Sequence, residues 1–185
     1  MALPDRYTRP AVILHWLIAV LITINVALIL SAESVADENV RFVYDTHKSI
    51  GITVFGLVML RILWRLTHRP PALPAAYKAW EKTASKWTHG ILYFIMVFMP
   101  VSGWLHDSGW KAAAEIKLYW FGLFEVPRLN FLMIMEPAAK EAWHEVLGEA
   151  HEIGAYALFA LVFLHVAGAL KHQFVDKHRE LQRMW

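Results

Sequence analysis

The stretch HEIGAYALFALVFLH, residues 151–165, decides how the rest of the chain is read. A histidine stands at each end, and between them only Glu152 carries a charge. The run is too apolar for the half-wetted face of a surface helix, so its natural solvent is lipid. Along an α-helix fourteen residues turn about 1400°, roughly 40° short of four turns, so His151 and His165 project from similar faces. They lie about 21 Å apart along the axis, a distance that spans most of a hydrocarbon core of about 30 Å. A polar imidazole inside a membrane costs free energy unless something binds it, and two of them at matched faces predict a function.

The remainder of the chain fits a membrane reading. Of its 185 residues 57% are hydrophobic, more than soluble domains of this size carry, and it contains no cysteine. Four segments are long and apolar enough to cross a bilayer: about 11–31, 46–66, 85–105 and 149–172. The first follows Arg6 and Arg9 and ends ILSAES, like a secretory leader, but its apolar run is too long, so it is expected to stay as a helix. Twelve of the eighteen Lys and Arg fall in the N-terminus, the segment between the second and third spans, the tail and the span ends that adjoin them, whereas twelve of the sixteen acids fall in the other two loops and the adjoining start of the fourth span. The positive-inside rule then predicts a multi-pass protein of the bacterial cytoplasmic (inner) membrane with both termini in the cytoplasm. Without cysteine there is no disulfide, thiolate metal site, iron–sulfur cluster or covalently attached c-type haem.

Four spans with both ends on one side predict an all-α membrane protein, an antiparallel four-helix transmembrane bundle formed by residues 1–185 as a single domain. RPPALP at 69–74 is expected to end the second helix, and MPVSGW at 99–104 to close the third, because proline cannot continue the backbone ladder. The longest loop, from about His106 to Trp143, mixes aromatics with charges and is expected to lie across the outer mouth of the bundle.

Sorting histidines by depth produces two layers. His47 starts the second span on the outer side and His151 the fourth; His15 lies one turn into the first span from the inner side, at the depth of His165. Two layers of two imidazoles on different helices suit two stacked haems, each with bis-histidine axial ligation. Zinc normally takes three or four ligands at one point, and a proton relay would want midspan acids that the spans lack. Small residues near the histidines (Ala19, Gly51, Gly154 and Gly168) leave room for a porphyrin edge, although they serve helix packing equally well. Arg61, fourteen residues after His47, is expected at the depth of the inner layer, where it can pair with haem propionates or snorkel to the headgroups. At the outer layer Arg41, Lys48 and Lys117 are possible propionate partners. His144 rivals His151 as outer ligand, but about 31 Å from His165 it would lie almost a full membrane away. His89 shares the inner depth and competes with His15; its expected role is hydrogen bonding near the haem or a quinone.

RYTRPAVILHWL, HKSIGITVFGLVMLRILWR, FGLFEVPRL and HEIGAYALFALVFLHVAGALKH together resemble the bacterial cytochrome b561 family, relatives of the cytochrome b subunits of hydrogenases and formate dehydrogenases. The resemblance runs from Arg6 to Met184. It implies a four-helix bundle holding two haem b and exchanging electrons with a quinone, ubiquinone being the expected acceptor. It also implies that His15 and His165 hold the cytoplasmic-side haem iron, and His47 and His151 the periplasmic-side one. The Trp-His pair that opens the last helix in some relatives stands here as Trp143-His144, which keeps His144 as the alternative to His151. The expected function is electron transfer between a periplasmic-side donor and the quinone pool. Quinone is expected at the inner end near His89, Lys171 and His172, where a protonatable group can accompany reduction. The alternative is a superoxide oxidase that passes electrons from periplasmic superoxide to ubiquinone. It calls for an outer basic patch, for which Arg41, Lys48, Lys117 and Arg128 are the available residues on a mainly acidic side. Expected partners are thus quinone, a donor (protein or superoxide) and membrane lipid, with no nucleic acid.

Overall fold

The structure, a computed structural model, describes residues 6–185. Four long helices dominate it: α1 (Arg9–Leu30), α2 (Asp37–Thr67), α3 (Ala79–Gly109) and α5 (Pro137–Leu170). Each is long and apolar enough to cross a membrane. In lipid a helix answers its own backbone polar groups, which is why these sequences fold as unbroken helices with so little enclosed core. Large apolar side chains such as Ile13, Leu63, Phe94 and Phe163 stand exposed on the bundle surface, where lipid covers them. The enclosed core is a seam between α1 and α2 made by Ile18, Ile50, Val54 and Val58, with Met96 and Val97 of α3 packed against it.

The helices alternate in direction, so the termini share one end of the bundle, here called the termini end. Tyr7 N there donates to Arg183 O at 3.1 Å, and Trp16 Nε1 to Met184 O at 2.8 Å. Packing is uneven: α3 lies along α5, α1 along α2, and α2 joins the two pairs through α3. Between α5 and the α1–α2 pair there is no comparable packing, and this seam is where the histidines of interest face one another.

Three helices outrun their apolar windows. α2 begins at Asp37, α3 covers Ala79–Gly109 and α5 begins at Pro137, because hydropathy detects only the lipid-facing part and polar turns continue the ladder beyond it. Helix starts carry their own signals. Asp37 and Glu38 sit in the first turn of α2, and Glu136 caps α5 by accepting from Ala138 N and Ala139 N, with Pro137 in its first turn. α2 ends at Thr67 before the proline turn, as expected. MPVSGW, however, does not close α3: the helix passes through Pro100 and runs on to Gly109. Neighbouring helices tolerate such a proline by re-satisfying the freed carbonyl locally.

The loop at the far end is ordered by a short hairpin, β1 (Tyr119–Trp120) and β2 (Phe124–Glu125), followed by α4 (Asn130–Met133). Phe121 and Gly122 both take left-handed φ values, 46° and 72°, which turn the chain tightly; glycine does this without strain. The hairpin is pinned onto α2. Trp120 Nε1 donates to Thr53 Oγ1 at 3.0 Å, and Phe121 N donates to Ser49 Oγ at 3.0 Å. The aromatic loop therefore does lie over one side of the bundle mouth.

Candidate functional site

At the termini end α1 contributes His15 and α5 contributes His165, with ring centres 6.0 Å apart and planes crossed at 69°. At the far end α2 contributes His47 and α5 contributes His151, 6.3 Å apart and crossed at 82°. Neither pair is joined by a hydrogen bond among the described residues. Two metal–imidazole bonds of about 2.0 Å on opposite sides of one iron hold ring centres about 6 Å apart. Both separations match that figure, and the helices that bear each pair are not closely packed together. The donor set at each layer, two imidazoles and no thiolate, is also that of bis-histidine haem.

Second partners fix the far-end rings. His47 Nδ1–H donates to the Asn25 carbonyl at 3.3 Å. Ser102 gives its hydroxyl hydrogen to Met99 O, so its oxygen accepts from His151 Nδ1–H at 3.0 Å. Each arrangement selects one tautomer and presents the Nε2 lone pair, as metal-binding histidines require. Gly103 makes room for the His151 ring: a Cβ there would come within 3.1 Å of its Cε1. Nothing in the sequence marked Asn25 or Ser102, because their role exists only through contacts 22 and 49 residues apart.

The small residues divide. A Cβ at Gly168 would meet nothing within 4 Å, and one at Gly51 would only touch Asn25 Nδ2 at 4.0 Å, so both sit beside open space. Gly154 is different: its Cβ would strike Met99 Sδ and Phe98 Cε1, each at 2.8 Å, so it serves the α3–α5 contact and not a porphyrin edge.

His144 is engaged elsewhere. Its Nδ1–H donates to His106 O at 2.9 Å, His106 Nδ1–H returns the bond to His144 O at 2.8 Å, and the rings stack at 3.9 Å. Gly148 and Gly109 accept this knot, since a Cβ at Gly148 would lie 2.8 Å from His106 Cε1. His89 is the third imidazole of the termini-end layer. Its centre lies 5.1 Å from that of His165, and its Nδ1–H donates to Ser85 O at 2.7 Å. Arg61 reaches the same layer, with Nη1 2.6 Å from the Ala11 carbonyl one turn before His15. It opens on a cleft shared with Arg6, Arg65, Arg69 and Tyr93, and none of these arginines has a carboxylate partner among the described residues.

The remaining expected residues separate. Lys171 and His172 belong to a carboxylate network: Lys171 Nζ lies 2.5 Å from Glu81 Oε1 and 2.8 Å from Asp176 Oδ2, and His172 Nδ1 2.7 Å from that same oxygen. At the far end every candidate base is matched by an acid. Arg41 pairs with Asp45 at 3.4 Å, Lys117 with Glu125 at 2.6 Å, Lys48 with Asp107 at 2.6 Å and Arg128 with Asp107 at 2.7 Å. Arg128 is buried and also donates to the carbonyls of Ala113 and Ile116. Glu125 holds the Lys117 ammonium above its ordinary pKa.

Residues 6–185 match the model of a family described as prokaryotic cytochrome b561. The chain is similar to cytochrome b561 homolog 2 of Escherichia coli (strain K12), with 28% identity over 98% of this chain and 92% of the relative. It is also similar to cytochrome b561 homolog 1 of the same organism, with 21% identity over 97% of each. The match covers the four helices, both histidine layers and the far-end hairpin, and the chain belongs to the prokaryotic cytochrome b561 family of membrane electron-transfer cytochromes that carry b-type haem.

Proposed function

We propose that this cytochrome holds two haem b, one between His15 and His165 and one between His47 and His151, and moves single electrons between a donor at the far, periplasmic end and quinone at the termini, cytoplasmic end. The observation that carries the reading is the pair of imidazole couples at 6.0 and 6.3 Å, on helices that otherwise pack little against one another. His15 with His165, and His47 with His151, would hold the haem, which would supply one-electron transfer when bound.

The chain's own residues supply placement and charge. α5 provides one member of each pair, and fourteen residues of helical rise set His151 and His165 about 21 Å apart. Asn25 and Ser102 hold the far-end rings in the ligating tautomer. Arg61, with no carboxylate partner among the described residues, and its neighbouring arginines are suited to propionates on the termini side. Quinone, with ubiquinone as the expected type, binds at the same end, near His172 and Lys171, with His89 closer to the haem layer. The positive-inside count supports the assignment of sides, and the family supports the inner membrane.

The ion pairs of Arg41, Lys48, Lys117 and Arg128 favour electron transfer over superoxide oxidation, because a paired base contributes little field to draw in an anion. Mixing the dithionite-reduced protein, freed of excess reductant, with a short-chain ubiquinone tests the main reading. The b-type α-band is expected to bleach within the mixing experiment, and a band that stays reduced rules quinone out. In a parallel stopped-flow run, reduction by superoxide is expected at no more than the non-enzymatic background; a rate well above it moves the assignment to superoxide oxidase.

A further inference from the structure

The carboxylate network at the termini end has a feature that ion pairing alone does not require. His172 Nδ1–H is bonded to Asp176 Oδ2 at 2.7 Å, while its Nε2 has no hydrogen-bond partner among the described residues. The ring is nearly enclosed, with a side chain 15% exposed, and is held flat under Tyr77 at 4.0 Å with planes 14° apart. Tyr77 is itself tied down, its hydroxyl donating to Glu180 Oε1 at 2.5 Å, which in turn pairs with Arg183 at 3.0 Å. Lys171 neutralises Asp176 from the other side and links it to Glu81, whose second oxygen accepts from Lys78 N at 2.9 Å. His178 completes the surroundings, 5.3 Å from Tyr77 between ring centres. The chain here leaves α-geometry for a π-helical turn, Lys171–Val175, an irregularity often found where helices carry function. A carboxylate on one imidazole nitrogen and an unbonded lone pair on the other is the arrangement of a general acid–base.

We propose that the His172–Asp176 dyad is the proton donor for quinone reduced at the termini end. This rests on the quinone reading above. Reduction of a quinone consumes two electrons and two protons and converts its two carbonyls to hydroxyls. The electrons arrive one at a time through the cytochrome, and the protons come from water on the termini side. His172 Nε2 takes a proton from water, Asp176 stabilises the imidazolium, and Nε2 passes that proton to a quinone oxygen; a second cycle completes the quinol. Asp176 is suited to the task because its hydrogen bonds to Lys171 and His172 hold its carboxyl below the ordinary carboxylate pKa, and so ionised. His172 follows His165 by two helical turns, about 10 Å along the axis, which sets the dyad just beyond the termini-end histidine layer.

The test compares the wild-type haem-loaded protein with Asp176→Asn, which keeps the shape but removes the base. Three readouts are taken: quenching of tryptophan fluorescence by a short-chain ubiquinone, the rate of quinol formation from pH 6 to 8, and the haem spectrum. Quinone binding within about twofold of wild type, an unchanged spectrum and a rate about tenfold or more lower at pH 8, narrowing toward pH 6, support the dyad. If Asp176→Asn does not retain haem, His172→Gln is read in its place, with the same expectation. A variant that binds quinone and forms quinol at the wild-type rate across the pH range overturns the dyad and leaves quinone reduction standing. Wild-type protein that neither quenches with quinone nor reduces it overturns the quinone reading and the dyad together.

Discussion

At the scale of single residues, the account depends on which ring each histidine faces. His47, His151 and His144 all have Nδ1 occupied, by Asn25, Ser102 and the His106 carbonyl, but His47 and His151 face one another at 6.3 Å, whereas His144 lies stacked on His106 at 3.9 Å. His47→Ala and His151→Ala are each expected to lower haem content from two per chain to one while the termini-end haem keeps its absorbance. His144→Ala is expected to keep both haems; a loss of one in that variant would make His144 the far-end ligand. Ser102→Ala leaves His151 in place but frees its tautomer, and outer partners of this kind are worth roughly 10- to 100-fold in metal affinity. The variant is therefore expected to release far-end haem faster to apomyoglobin, with the other haem unaffected. The four histidines could be sorted by depth from sequence alone because helical rise and bilayer thickness are fixed lengths. Ser102 and Asn25 could not, since nothing local says which ring a serine 49 residues away will meet.

At the scale of elements, one buried carboxylate adds to the bonds of Trp120 and Phe121 in holding the far-end loop. Asp107 meets both Lys48 and Arg128, and the Arg128 side chain is only 4% exposed. Removing one partner of a buried pair leaves the other charge uncompensated, at a cost of about 3–5 kcal/mol. Asp107→Ala is expected to lower the thermal midpoint in detergent markedly and to release the hairpin from α2, seen as faster proteolysis within residues 111–136; an unchanged midpoint would show that Asp107 is not an anchor. The termini-end tail follows the opposite sign of pH to a raised base. Asp176 is held below its ordinary value of 3.8, so its contribution to docking the tail is complete above that pH and is lost as pH falls through the lower folded value. Hydrogen exchange in 176–183 is expected to stay slow at neutral pH and to rise only below about pH 4. Sequence revealed the four helices but shortened three of them, because lipid selects only the apolar part of each. Pro100 misled for a related reason: the rule that proline ends a helix assumes water waiting to solvate the freed groups.

At the scale of the molecule, charge and packing divide the bundle into two unlike ends. The far end matches every candidate base with an acid, while the termini end gathers arginines that have no carboxylate partner among the described residues beside Arg61 and sets Glu81, Asp176 and Glu180 among the remaining bases. That contrast was partly legible in the charge count, which gathers bases toward the termini side and acids toward the other. Its meaning was not legible, because the network joins residues up to 103 positions apart. What unites the two ends is α5, which supplies one imidazole to each pair across a seam where the helices themselves stand off. If both couples bind iron, the molecule must carry two haem b, so the deciding measurement is the pyridine haemochrome content of the purified protein against its concentration by quantitative amino-acid analysis. The account predicts two haem b per chain; one haem or none per fully loaded chain would contradict it.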